Sequence, residues 1–182
     1  MATFAVVVNG APASGKTTLS RILRAELDLP LVAKDAVKEA LVEAVGAPLP
    51  TRDLGGLSQD VVWRVVGMID GPVLVESFWG TGRDEEFFAR GLKVAGVTSG
   101  VEIWCEAPLE VLRERFTTRP RHAVHDDANR MPEWEASART ARPISGFPVI
   151  RVDTTGPVDT AQLAAELRTM IPTPPDGQQH SA

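Results

Sequence analysis

The chain has a single cysteine, Cys105, among 182 residues. One thiol excludes an intramolecular disulfide and any zinc site built from several cysteines. It sits in the apolar run Val101-Glu102-Ile103-Trp104-Cys105 and reads as a small buried hydrophobe in a strand. No apolar stretch approaches the length needed to cross a bilayer. The run Phe4 to Val8 lacks a basic flank and is too short for a signal peptide, so the expectation is a soluble cytoplasmic protein. There is no basic excess either. Nineteen Lys and Arg against 24 Asp and Glu give a formal charge of −5, which argues against a dedicated nucleic-acid binder. Internal repeats and interior linkers are absent, and no N-K-x-D guanine-reading element occurs. The chain has no room for the extra subdomains of a motor ATPase.

What is present is one ordinary globular composition, 43% hydrophobic and 24% charged, of a size for one domain. Five short β-branched runs alternate with amphipathic segments. The runs are 3–8, 30–33, 73–77, 101–105 and 148–152. Helices are predicted over 16–28, from Asp35 as N-cap to about Val45, over 57–70, from Asp84 to about Val97, from Pro108 to about Thr118, near Glu133 to Arg139, and over 158–170. Residues 47–56 read as a loop. The alternation predicts an α/β fold with a mainly parallel sheet and right-handed crossovers. The domain is expected over 1–171, with a mobile lid at about 119–132 and a proline-rich disordered tail from 172 to 182.

Gly10-Ala11-Pro12-Ala13-Ser14-Gly15-Lys16-Thr17 matches G-x-x-x-x-G-K-S/T at every fixed position. A β run precedes it and an amphipathic helix follows. The loop turns backbone N–H groups around a phosphate, and Gly10 and Gly15 permit the angles and the close approach. The helix beginning near Lys16 points its positive dipole end at that anion. Lys16 adds a full charge near the β and γ phosphates, and the Thr17 hydroxyl can ligate Mg²⁺. The motif points to a nucleoside triphosphate. By itself it does not separate a kinase from a GTPase, a motor or a switch.

Four further features favour a small-molecule kinase. The chain is short. The second strand runs directly into Lys34-Asp35-Ala36-Val37-Lys38-Glu39, which places Asp35 at a strand carboxyl end, facing the γ-phosphate pocket. A carboxylate there accepts or orients an attacking hydroxyl proton. It also suits a helix N-cap, and the two roles are compatible. The third strand ends in Glu76-Ser77, a position suited to holding Mg²⁺ through water or binding substrate hydroxyls. Arg113, Arg115, Arg119 and Arg121 lead into the polar segment, with Arg115 and Arg119 on one helix face. Arginine forks suit a lid that closes over a triphosphate, although a solvated basic face has the same composition.

Val7-Val8-Asn9-Gly10, Gly15-Lys16-Thr17-Thr18, Lys34-Asp35-x-x-Lys38-Glu39 and Arg115-Phe116-x-x-Arg119 followed by Arg121-His122-x-x-His125 together resemble the AAA_33-type P-loop kinases. That group is similar to zeta toxins, chloramphenicol phosphotransferase, gluconate kinases and the nucleotide-kinase superfamily. The resemblance spans about 3–170. It implies a three-layer P-loop kinase fold with a five-stranded parallel sheet in the order 2-3-1-4-5. It implies ATP with Mg²⁺, bound on Gly10, Ala11, Pro12, Ala13, Ser14, Gly15, Lys16, Thr17 and Thr18. It implies transfer to a hydroxyl, with Asp35 as base and lid arginines Arg119 and Arg121, or Arg115, on the moving phosphoryl group. Adenine would lie against a lid-base arginine and the stretch Asp153-Thr154-Thr155-Gly156-Pro157. One departure is His122-Ala123-Val124-His125, where the group commonly has His-Pro-Gly-His.

The acceptor is expected between Asp35, the helix at 57–70 and the loop after the third strand. Lys38, Arg52, Asp53, Trp63, Glu76, Phe78, Trp79 and Arg83 are available there. Trp79 would form a stacking wall if it is not packed beneath the loop. Trp63 and Trp104 read as core, and Trp134 stays open. His122 and His125 lack a clustered third ligand, so zinc is disfavoured. The resulting expectation is an ATP-dependent phosphotransferase acting on a small hydroxylated acceptor, with no nucleic-acid or membrane partner and no oligomeric state specified. The alternatives are a polynucleotide 5′-hydroxyl kinase and a nucleotide-bound regulatory or toxin-like protein with little turnover.

Overall fold

The structure, a computed structural model, describes residues 3–47, 49–119, 122–125 and 131–172. Five strands form one parallel sheet: β1 (Phe4–Asn9), β2 (Leu31–Ala33), β3 (Val73–Glu76), β4 (Ser99–Glu106) and β5 (Val149–Asp153). Their order is β2-β3-β1-β4-β5, as the resemblance implies. Seven helices lie among the described residues: α1 (Lys16–Leu27), α2 (Lys34–Val45), α3 (Thr51–Val66), α4 (Glu85–Ala95), α5 (Leu109–Thr118), α6 (Met131–Thr140) and α7 (Thr160–Met170). A 3₁₀ turn occupies Ala123–His125. No described helix is long and apolar enough to cross a membrane.

The strand period of two divides the core. Ala5 and Val7 of β1 face one layer with Val73 and Val75, against Val62 and Val66 of α3 and Phe88 of α4. Phe4, Val6 and Val8 face the other with Leu74, Val101 and Ile103, against Leu19 and Leu23 of α1 and Leu163 and Leu167 of α7. Every residue of β1 is buried, as a central parallel strand covered on both faces should be. Val6 pairs with Leu74 on one side and Val101 on the other, so the register holds both apolar sets in line. All strand carboxyl ends open on one edge, where ligands bind in such sheets.

Two expectations about elements are corrected. Residues 51–56 belong to α3, because Leu54 and Ser58 turn inward and Ser58 Oγ donates to Leu54 O at 2.6 Å. Asp35 lies inside the first turn of α2, where Ala33 is the cap residue, and no side chain caps the helix. Its carboxylate sits near the positive end of the dipole instead.

Candidate active site

β1 ends by delivering Asn9 and Gly10. Asn9 is buried, and its Oδ1 accepts from Gly10 N at 2.7 Å and from Trp79 N at 3.1 Å. Its Nδ2 donates to Glu102 Oε1 at 2.8 Å. Glu102 also accepts from Ile144 N at 3.1 Å and Ser145 N at 2.9 Å. This network fixes the start of the loop, and its partners lie too far apart in sequence for spacing to reveal. Gly10 has φ of 142°, and a Cβ there would press on the Cys105 carbonyl and come within 2.7 Å of Ser14 Oγ. Gly15, with φ of 82°, caps α1 without a side-chain hydrogen bond to the helix N-terminus. Thr154 Oγ1 closes the far side by donating to Ser14 O at 2.9 Å.

Lys16 is buried, and its Nζ donates to Ala11 O at 3.0 Å. Burial pushes its pKa down, and the charges of Glu76 and Asp35 oppose that shift, while Arg119 adds to it. Glu76 is buried as well, and burial pushes its carboxyl up against the pull of Lys16. Thr17 Oγ1 lies 3.4 Å from both Glu76 carboxylate oxygens. Asp35 raises the Glu76 carboxyl further. The ends of β1, β2 and β3 thus bring Lys16, Thr17, Asp35 and Glu76 within electrostatic reach of one another.

These residues fit the groups the fold implies. The cradle admits no Cβ at Gly10, and the buried Ser14 Oγ has no hydrogen-bond partner among the described residues. An anion at the α1 N-terminus suits both features. Thr17 and Glu76 supply the hard oxygens that Mg²⁺ prefers. Among the described residues no group of three or more His, Cys, Asp or Glu is placed to hold a metal. Burial pushes the Cys105 thiol up to about 12, so it stays protonated beside the loop.

Arg115 Nη2 donates to Thr154 O at 2.8 Å and to Thr155 O at 3.2 Å. The lid-base arginine and the loop after β5 therefore meet, with Gly156 next along that loop. Arg119 closes α5, its guanidinium 5.6 Å from the Phe116 ring centroid. Arg121, and with it half of the expected lid, lies outside the described residues. Lys38 is buried and donates to Val124 O at 3.2 Å, and Thr51 Oγ1 donates to the same carbonyl. His125 Nε2 lies 2.8 Å from Glu39 Oε1, so the 3₁₀ turn is seated on α2 and α3 rather than solvated. Arg52 is exposed on α3. Arg83 pairs with Asp84 at 2.6 Å and lies 5.6 Å over the Phe78 ring.

Of the two readings the sequence left open for Trp79, the structure has the packed one, and it forms no stacking wall. It is fully buried, with Trp63 at 5.9 Å and Phe88 at 5.1 Å between ring centroids, so its ring faces the core. Trp63 and Trp104 are core as expected. Trp134, left open by the sequence, is buried and donates to Pro12 O at 3.3 Å.

The AAA domain family model matches residues 6–135. A kinase-like protein from Chloroflexus aurantiacus J-10-fl superposes with a TM-score of 0.80 at 30% identity, over 92% of this chain and 98% of its own. A gluconokinase from Sinorhizobium meliloti 1021 superposes at 0.59 with 19% identity, over 93% and 94% of the two chains. Shikimate kinase from Acinetobacter baumannii, in complex with shikimate, superposes at 0.51 with 16% identity, over 91% of each. At such identities the last two bear on the fold alone. No curated protein matches this sequence. On the family match and the loop geometry together, the chain belongs to the AAA-domain family of P-loop proteins.

Proposed function

We propose that this chain is an ATP-dependent phosphotransferase that moves the γ-phosphoryl group of ATP to a hydroxyl of a small molecule such as a sugar, a nucleoside or an antibiotic-like acceptor. The observation that carries this reading is the placement of Lys16, Asp35 and Glu76 at three adjacent strand ends, each acting on the charge of another. A pure switch needs the phosphate loop. It does not need a second carboxylate acting on the charges of Lys16 and Glu76.

In this reading the loop from Gly10 to Thr18 holds the triphosphate and Lys16 neutralises charge on the moving group. Asp35 accepts the proton of the acceptor hydroxyl as its oxygen bonds to phosphorus. The bond from phosphorus to the β-phosphate oxygen breaks, and ADP leaves. Thr17 and Glu76 would hold Mg²⁺, which supplies charge neutralisation across the phosphates when bound. Arg119 and Arg121 would close over the phosphoryl group, and Arg115 with Thr154, Thr155 and Gly156 would form the base pocket. The acceptor would meet Arg83, over half exposed, and the exposed Arg52, with Lys38 acting from within through the Val124 carbonyl, whereas Trp79 packs in the core and would take no part.

The test is Asp35→Asn. It should abolish transfer to a hydroxyl acceptor while ATP affinity stays within about twofold. Transfer at the wild-type rate by the variant would remove Asp35 from the mechanism.

A further inference from the structure

Ala11 and Ala13 of the phosphate loop share a small apolar cluster with Leu112 and Phe116 of α5 and Trp134 of α6. Ala13 holds φ of 72°, a left-handed conformation that a residue with a Cβ keeps only when its surroundings impose it. Trp134 supplies two constraints. Its indole Nε1 donates to Pro12 O at 3.3 Å. Its ring stacks on Phe116, with centroids 4.7 Å apart and planes 24° apart. Arg119 in turn lies 5.6 Å from the Phe116 centroid.

The peptide joining Pro12 to Ala13 is planar and trans, so its carbonyl and N–H point in opposite directions. Tying the Pro12 carbonyl to α6 turns the Ala13 N–H away from α6. We propose that Trp134 is a positioning residue: it presents the Ala13 N–H to a bound phosphate and, through Phe116, holds Arg119 in register with the same loop. The ring alone could be ordinary packing. The donated bond to a phosphate-loop carbonyl is what a packing role does not require. This inference rests on the nucleotide reading above.

Trp134→Phe keeps the stack and removes the donor, whereas Trp134→Leu removes both. Each is compared with the wild type for the dissociation constant of ATP by calorimetry, for tryptophan emission on adding ATP, and for melting temperature. Trp134→Phe should weaken ATP by about fivefold, the size of one lost hydrogen bond, with an unchanged melting temperature. The ATP-induced emission change should vanish with it. Trp134→Leu should make the effect of Arg119→Lys on ATP affinity non-additive. Wild-type affinity and a persisting emission change in Trp134→Phe would overturn the proposal. So would weakened binding seen only because the variant melts near the assay temperature. Should the wild type itself not bind ATP, the nucleotide reading fails first, and the two failures are told apart by that single titration.

Discussion

At the residue scale, the site is a set of charges held where water does not reach them well. Burial acts against the charged forms of both Lys16 and Glu76, and each partly restores the other. Lys16→Ala should weaken ATP by at least about tenfold, because a charge-assisted contact is lost, and should leave no measurable transfer. Titration calorimetry and a coupled assay read both. Glu76 gives a pH prediction. Its folded pKa lies above its ordinary value of 4.5, so the stability it contributes is present at low pH and fades as pH rises through the raised value. In denaturant titrations the wild type should therefore lose ground to Glu76→Gln as pH increases from 4.5. A gap that is flat with pH would mean the carboxyl titrates normally. Gly10→Ala should destroy ATP binding, since its Cβ would meet the Cys105 carbonyl, which belongs to the backbone of β4 and cannot swing aside.

At the scale of elements, the alternation of strands and helices was legible because each strand is short, apolar and followed by a helix with a separate apolar stripe. The phosphate loop was legible for a different reason: its chemistry demands fixed glycines at fixed spacing. The start of α3 was not legible, because Gly55 and Gly56 look like a turn. Leu54 and Ser58 override that preference by packing inward. For Trp79 the sequence left a stacking wall and packing beneath the loop both open. Its burial depends on Trp63 and Phe88, which come from two distant helices. Nor could spacing show Lys38 and Thr51 converging on Val124, or Trp134 reaching Pro12. Local pattern reports period and cap; it does not report contacts between distant segments. The aromatic cluster makes its own prediction. A Cβ at Gly91 would run into the Trp63 indole, so Gly91→Ala should destabilise the fold by about 1–3 kcal/mol in a denaturant titration. A neutral result would mean that α3 and α4 separate easily.

At the scale of the molecule, the parallel sheet brings five strand ends to one edge, and Lys16, Asp35 and Glu76 gather there. The 3₁₀ turn carrying Val124 and His125 rests on α2 and α3, while α6 returns to the phosphate loop through Trp134. Val124 of the turn thus meets α2 and α3, and Trp134 of α6 meets the phosphate loop. A ligand held by this edge alone should stabilise the whole domain. ATP at a hundred times its dissociation constant should add about 2.7 kcal/mol to unfolding, read as a rise in melting temperature.

The most direct measurement is label transfer from γ-labelled ATP with Mg²⁺. One tube holds a panel of sugars, nucleosides and antibiotics, another holds RNA oligonucleotides, and Asp35→Asn runs beside each. The account predicts label on a small molecule with the wild type and none with the variant. Label on RNA alone, or label released only as free phosphate across the panel, would contradict it.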